Sequence, residues 1–451
     1  MPISDLEGKH IAIMGFGTEG RAALRLLHDS LQHSRISVLE ENTAFIQQQA
    51  ELKGAFPEVD FRTGGAAFHA LEQYDVIIKS PGISPYRAEL KAATASGTQL
   101  TSGTQLWCDA HPNERLVIVT GTKGKSTTSS LIAHLLNTSG RRTQLIGNIG
   151  TAALEAFSPE EPPEFWVMEL SSYQATGLRC NAEVALLLNL FPEHTDWHGS
   201  TGQYYRDKTD FLRAPGIRSV IVEREQRNLP STISTLDKLI TYNNPTGMHC
   251  IDGGIVERGK TLLDASDSPL PGEHNLLNIC AALTTIRQLG ITPDEVLPQL
   301  HSFKGLPHRL SILGERNGVQ YVDDSISTTP ESALAALRSF PEKPCTQLLG
   351  GYDRDLDWRI FAEASCNSNL NCVITLPGNA DRIAAALRRA NPDLPVIAAT
   401  DMEDAVTKAA ASTPPGGVII LSPGAPSYGS YRDFRERGNH FARYAGFSVE
   451  D

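Results

Sequence analysis

Short apolar runs alternate with amphipathic, helix-spaced stretches along nearly the whole chain. His10–Met14, Ser37–Leu39, Val76–Ile78, Leu116–Val119, Phe165–Met168 and Ala185–Leu188 are too short and too continuously apolar for surface helices. They predict strands covered on both faces, and therefore parallel sheets flanked by helices, an α/β architecture. The longest nearly apolar run, Val184 to Phe191, is interrupted by Asn189 and falls far short of the ~20 residues a membrane helix needs.

Two places break this alternation and predict domain seams. Thr101–Glu114 turns polar and ends in His111-Pro112-Asn113-Glu114 before a fresh strand at Leu116. Lys304-Gly305-Leu306-Pro307-His308-Arg309 interrupts a helical pattern with Gly and Pro. The chain has 451 residues, which at roughly 150 per domain also suggests about three domains. The expected segments are 1–105, 106–306 and 307–451.

Charge narrows the class of partner. Forty Lys and Arg against 52 Asp and Glu give −12, which would repel a phosphate polymer, so nucleic-acid binding is disfavoured. The N-terminus, Met-Pro-Ile-Ser-Asp, shows no basic stretch followed by an apolar one. The seven cysteines are scattered without a CxxC pair, the pattern of reduced, buried thiols. A cytoplasmic enzyme, not membrane-bound, is the working expectation.

Gly15-Phe16-Gly17-Thr18-Glu19-Gly20 follows the strand His10–Met14 and opens a helix running through Leu27. Such a turn lets backbone approach a diphosphate at a helix N-terminus. Glu40-Glu41 follows the next strand at about the distance of a ribose contact. A nicotinamide or flavin coenzyme, another nucleotide and a plain tight turn all remain open on these residues alone.

Thr120-Gly121-Thr122-Lys123-Gly124-Lys125-Ser126-Thr127 lies between the strand Leu116–Val119 and a helix through Asn137. The strict GxxxxGK[ST] pattern would need glycine at Val119, yet the strand-loop-helix setting suits a phosphate cradle. Lys125 can reach β/γ oxygens and a hydroxyl from Ser126 or Thr127 can ligate Mg²⁺, so ATP is the expected nucleotide. Glu169 and His194 follow apolar strands, where α/β sheets place their sites, and Glu169 is a plausible Mg²⁺ ligand. His194 and His198 are poor zinc ligands, since the HExxH order is absent and Trp197 and Gly199 argue for a loop. Lys208, in Tyr204-Tyr205-Arg206-Asp207-Lys208, has the local setting of a surface helix lysine.

Taken together, these segments resemble the Mur ligases, ATP-dependent amide ligases of cell-wall precursor synthesis, and within them the glutamate-adding MurD type. The resemblance extends through Ser80-Pro81-Gly82-Ile83, Gly147-Asn148-Ile149-Gly150, Glu169–Gln174, Glu193-His194-Thr195-Asp196, Gly272-Glu273-His274-Asn275, Asp324-Ser325, Leu349-Gly350-Gly351 and Arg437-Gly438-Asn439. It implies a Rossmann-like N-terminal domain for UDP, a central phosphate-loop ATPase domain and a Rossmann-like C-terminal domain for the amino acid. It implies that Gly15, Gly17, Thr18, Ser80, Pro81, Gly82, Asn148 and Ser171 serve the UDP-linked substrate. For ATP it implies Gly121 through Thr127, with Thr122, Lys123, Gly124, Lys125 and Ser126, and also Asn278, Arg309 and Asp324. Lys125, His194 and Lys208 become catalytic, with Mg²⁺ on Ser126 and Glu169 and a second on His194 and a carbamylated Lys208. The substrates implied are UDP-N-acetylmuramoyl-L-alanine and glutamate, and a monomer is expected.

Departures from the family pattern gather where the amino acid would bind. Ile326 and Arg354 stand where D-glutamate-adding members carry lysines, and Ser422-Pro423-Gly424-Ala425-Pro426-Ser427-Tyr428-Gly429 replaces a Ser-Pro-Ala-Cys-Ala-Ser-Leu-Asp stretch. Thr328, Ser427 and Phe434 are kept, so Thr328, Arg354, Ser427, Tyr428 and Phe434 are the expected glutamate contacts. A guanidinium offers a planar fork where an ammonium is a point charge. These changes favour the branch that adds L-glutamate, with D-glutamate addition as the alternative. A folylpolyglutamate synthetase-like enzyme shares the ATPase core but lacks a UDP domain.

Overall fold

The computed structural model describes residues 1–43 and 54–448. Two compact units emerge, Met1–Leu262 with Leu277–Gln299, and Leu263–Leu276 with Leu300–Asp451. The first unit contains two parallel sheets. One has five strands in the spatial order Asp60–Thr63, Arg35–Glu40, His10–Met14, Val76–Lys79 and Gln99–Thr101. The other has six, in the order Leu239–Tyr242, Ile217–Glu223, Ala182–Leu187, Leu116–Thr120, Phe165–Glu169 and Thr143–Gly147.

Strand order decides where ligands can sit. In the first sheet the chain turns back at His10–Met14, whose neighbours are the second and fourth strands of the sequence. In the second it does so at Leu116–Thr120, flanked by Ala182–Leu187 and Phe165–Glu169. Connections leave such a switch point in opposite directions and open a crevice beyond the carboxyl ends of the strands. The Gly15 turn and the Gly121–Gly124 loop lie at these two crevices.

The central strands are buried on both faces: every residue of Leu116–Thr120 and Phe165–Glu169 is inaccessible or nearly so. Each such aliphatic side chain contributes about 1.5–3 kcal/mol by leaving water, which explains their continuous apolar pattern. The stretch expected to be a polar domain seam carries regular structure. Gln99–Thr101 is an edge strand and Gly103–Ala110 a helix whose Leu106, Trp107 and Cys108 are buried, capped by Ser102 accepting from the Gln105 amide. A further difference is the antiparallel hairpin Met248–Ile251 with Gly254–Glu257, which the alternating pattern did not announce.

The second unit holds a six-stranded sheet ordered Ser311–Arg316, Val319–Asp323, Val418–Leu421, Cys345–Leu349, Leu370–Thr375 and Val396–Ala398. Only Ser311–Arg316 runs antiparallel, as an edge strand. The three central strands end in the loops beginning at Asp324, Gly350 and Ser422, which places them side by side. All seven cysteines are free; Cys366 is exposed and Cys250 half-buried, so the expectation of buried thiols holds for the other five. Among the described residues no helix is long and apolar enough to cross a membrane.

Candidate active site

At the first crevice, Gly15 has φ +86°, and a Cβ there would sit 2.9 Å from the Ser80 Cβ. A Cβ on Gly20 would collide with the Gly15 carbonyl oxygen, so both glycines are required by close packing. Ser80 Oγ donates to that carbonyl at 2.9 Å, and Gly17 precedes the helix Thr18–Ser30. Glu40 does not stand free for a ribose: its carboxylate accepts the amides of Phe16 and Asn42, both at 2.9 Å. It therefore braces the turn, while Glu41 pairs with Arg87.

At the second crevice, Gly124 has φ +83° and precedes the helix Lys125–Thr138. A Cβ on Gly124 would lie 2.5 Å from Asn278 Oδ1, which brings Asn278 against the loop. Two lysine amines converge on this loop: Lys125 Nζ donates to the Thr122 carbonyl at 2.9 Å and Lys208 Nζ to the Gly121 carbonyl at 2.8 Å. Lys123 points outward and pairs with Glu193 at 2.7 Å. Thr122 Oγ1 shares a hydrogen bond of 2.8 Å with the Tyr204 hydroxyl, and Thr127 is buried.

Lys208 is 1% exposed, which corrects the surface setting that its local sequence suggested. Burial, then the charge of Lys125, holds its ammonium form well below the ordinary lysine range, with Glu193 and Glu169 opposing. Glu169 is wholly buried; Asn148 Nδ2 donates to its Oε1 at 2.7 Å, while Oε2 has no hydrogen-bond partner. A buried, half-satisfied carboxylate beside a phosphate loop suits a divalent cation. His, Cys, Asp and Glu alone form no cluster of three or more that could hold a metal among the described residues.

His194 has φ +55°, uncommon for a residue with a side chain, and its imidazole is 44% exposed. Burial, before all other influences, lowers its pKa, while Glu193 opposes; Lys208, His198 and Lys125 act in the same direction as burial. The segment after it is a helical turn, Thr195–His198, where a loop was expected. Ser171 caps the turn Ser172–Ala175 in a reciprocal box with Gln174, whose Nε2 donates to Glu19 at 2.6 Å.

In the second unit, Asp324 is buried, accepting from Ser422 Oγ at 2.6 Å and from the Leu310 amide at 3.2 Å. Burial pushes its carboxyl up to about 7, against the Ser422 hydrogen bond and the Arg309 charge. The folded unit thus keeps a proton, between an ordinary pKa of about 4 and about 7, that the unfolded chain has released, so its stability falls as pH rises through that window. Asp324→Asn is expected to raise the melting temperature of the ligand-free protein at pH 8 by roughly 4 °C and by little at pH 4. An equal gain at both values would refute the assignment.

Arg354 is exposed, and its guanidinium lies 5.7 Å from the centroid of the Tyr428 ring. Its neighbours Asp353 and Asp355 both pair with Arg382, which leaves Arg354 without a carboxylate partner among the described residues. Tyr352 and Tyr428, both about half exposed, meet edge to face at 6.1 Å. Thr328 is exposed, Ser427 is buried, and Phe434 packs edge-on against His308. Behind them Arg437 is 1% exposed and donates to the Ser325 carbonyl and hydroxyl and to the Ala425 carbonyl, at 2.7, 3.1 and 3.0 Å.

Sequence reading gave no site role to Glu19, Trp197 or Arg437, weighed His198 only as a zinc ligand, and passed over Asp207, which accepts from the Tyr86 hydroxyl at 2.6 Å. One signal was available. Tyr204, Asp207 and Lys208 fall at i, i+3 and i+4 of one helix and so share a face, and that face is buried although its residues are polar.

Parallel sheets with a glycine-bearing loop at the second switch point define a phosphate-loop α/β protein. Three family models match successive parts of the chain: the MurD-like N-terminal domain over residues 9–102, the Mur ligase middle domain over 119–286 and the Mur ligase glutamate ligase domain over 308–424. The chain is 42% identical to the UDP-N-acetylmuramoyl-L-alanine–L-glutamate ligase of Xanthomonas oryzae, covering 99% of this chain and 97% of that one. It is 41% identical to the enzyme of the same name from Xylella fastidiosa (100% and 98% covered) and 34% identical to that of a Micromonospora species (98% and 97%). Among solved structures, the Thermotoga maritima UDP-N-acetylmuramate-alanine ligase MurC matches with a TM-score of 0.60 at 17% identity, covering 96% of this chain and 98% of that one. MurF ligase from the same organism, solved with ADP, matches at 0.57 and 16% identity, covering 98% and 95%. The chain belongs to the Mur ligase family, whose members form carbon–nitrogen bonds.

Proposed function

We propose that this enzyme joins L-glutamate to UDP-N-acetylmuramoyl-L-alanine at the expense of ATP, a step of peptidoglycan precursor synthesis. The observation that carries the reading is the pair of lysine amines, Lys125 and Lys208, held on carbonyls of one phosphate loop beside the buried Glu169. In this reading a substrate carboxylate oxygen attacks the γ-phosphorus of ATP and ADP departs, leaving an acyl phosphate. The glutamate amine then attacks the acyl carbon, the amide forms, and phosphate leaves with the amine losing a proton.

The residues divide by segment. Residues 1–105 hold the UDP end through Gly15, Gly17, Thr18 and Ser80 to Gly82, with Asn148 and Ser171 nearer the muramoyl part. Residues 106–306 hold ATP on Gly121 to Thr127 and Asn278, and residues 307–451 add Arg309 and Asp324 and the glutamate contacts Thr328, Arg354, Ser427, Tyr428 and Phe434. Cations concentrate where phosphate charge develops. In this proposal Ser126 with Glu169, and His194 with Lys208 as a carbamate, would hold Mg²⁺, which when bound would neutralise phosphate oxygens. Burial favours the neutral Lys208 amine, which can attack carbon dioxide; a nitrogen–carbon bond forms and a proton leaves, giving an anionic ligand. The proposal takes the reaction to be cytoplasmic and carried out by a monomer, since one chain supplies every residue named.

The choice of L-glutamate is supported by the names of the Xanthomonas, Xylella and Micromonospora relatives. It is also supported by Arg354, a planar fork resting on Tyr428 where the D-glutamate pattern has an ammonium. The MurD-like match over residues 9–102 speaks against a folylpolyglutamate synthetase-like enzyme. Phosphate release with UDP-N-acetylmuramoyl-L-alanine, ATP, Mg²⁺ and each glutamate enantiomer is the test. L-Glutamate is expected to be preferred by roughly a hundredfold in kcat/KM, because a site built around paired polar groups penalises a misplaced carboxylate. A preference for D-glutamate would overturn the enantiomer assignment while leaving the ligase reading intact.

A further inference from the structure

The loop assigned to the UDP end is bonded directly to the segment that carries His194 and Lys208. Trp197 Nε1 donates to the Gly82 carbonyl at 3.0 Å, and Ser84 Oγ donates to the Trp197 carbonyl at 3.0 Å. The indole is stacked on Tyr173 with centroids 4.5 Å apart, and the Lys79 ammonium lies 5.6 Å from its centroid. Four residues past Gly82, the Tyr86 hydroxyl donates to Asp207 Oδ1 at 2.6 Å. Asp207 is buried and adjacent to Lys208; Gln203 Nε2 also donates to its Oδ1 at 2.7 Å, and His198 Nδ1 lies 2.6 Å from its Oδ2. The other nitrogen of His198 is 3.0 Å from Ser172 Oγ.

This arrangement does more than fill space. A buried carboxylate with three neighbouring donors fixes the rotation of the helix Thr201–Thr209, because turning that helix would strand the charge. One of the three donors, Tyr86, belongs to the chain segment that follows Ser80–Gly82. The rotation of the same helix aims Lys208 at the Gly121 carbonyl.

We propose that Trp197 and the Tyr86–Asp207–His198 network are positioning residues, which convert binding of the uridine diphosphate end at Ser80–Gly82 into correct placement of His194 and Lys208. The proposal rests on the ligase reading above. Binding energy from a remote, unreacting part of the substrate is then used to order the reacting centre, and it shows in kcat rather than in KM alone.

The test pairs two acceptors, UDP-N-acetylmuramoyl-L-alanine and the same compound lacking the uridylyl group, N-acetylmuramoyl-L-alanine 1-phosphate, with wild type, Tyr86→Phe and Tyr86→Phe/Trp197→Phe. In the wild type, kcat for the full acceptor is expected to exceed that for the truncated one by about tenfold or more. The double variant should lose about tenfold with the full acceptor and nothing with the truncated one, with KM for ATP unchanged. Tyr86→Phe, which removes one hydroxyl at a half-buried site, should move in the same direction and guards against misfolding of the double variant. Parallel losses on both acceptors would mean a merely structural role and overturn the proposal, as would equal kcat for the two acceptors in the wild type. A wild type that ligates no glutamate to the full acceptor would remove the ligase reading itself, and the coupling with it.

Discussion

Lys125→Ala is expected to lower glutamate-dependent phosphate release by about a thousandfold. Its amine is held 2.9 Å from the Thr122 carbonyl at the first position of the helix Lys125–Thr138, so it is preorganised before any phosphate arrives. Removing one fixed donor from a dry site costs on the order of a hundred- to a thousandfold, and here the lost group also carries full charge. The helix N-terminus remains and still offers amides to the nucleotide, so affinity for ATP should fall much less than turnover. Lys125 is only partly buried, so the fold should survive the change with a melting temperature close to that of the wild type. Amide formation within about tenfold of wild type would refute the role given to this loop.

The second large effect concerns Lys208. Lys208→Ala should be nearly inactive, with losses on the order of a hundredfold or more, and partly rescued by millimolar acetate or formate. Rescue depends on shape as well as charge. A side chain 1% exposed leaves a cavity when truncated, and a small carboxylic acid can occupy it and restore the anion that a carbamate would supply. Rescue should follow the size of the acid, with bulkier acids failing. Full activity without any acid would return Lys208 to a structural part, and inactivity with every acid would count against the carbamate.

The α/β class was legible because the central strands are buried on both sides, which forces continuous apolar runs such as Val184–Leu188. The edge strand Gln99–Thr101 and the helix Gly103–Ala110 were not, since they pack one face only and mix polar residues into it. Loops at the switch points stood out through glycines that the packing demands, Gly15, Gly20 and Gly124 among them. Lys208 shows the limit of local reading: its neighbours are polar, and only the folded chain brings a carbonyl 87 residues away to its amine. Glu40 marks the opposite error, for its spacing suits a ribose while its carboxylate is already committed to backbone amides. Tyr86 and His198 carry no spacing signature, because their partners lie on separate segments of the chain, and the helical spacing of Asp207 with Tyr204 and Lys208 marks a shared face without naming those partners.

Arg437 has a consequence for how this enzyme can change over generations. It grips loops of the second unit by their main-chain carbonyls at Ser325 and Ala425, and none of its three strongest bonds depends on the residues at the loop tips. Ile326 and Tyr428, next to the two gripped points, can therefore be exchanged without loosening the frame that presents them. In the reading proposed above, a lineage re-chooses the handedness of its amino acid through a few tip substitutions while inheriting the same sheet, the same anchor and the same reaction.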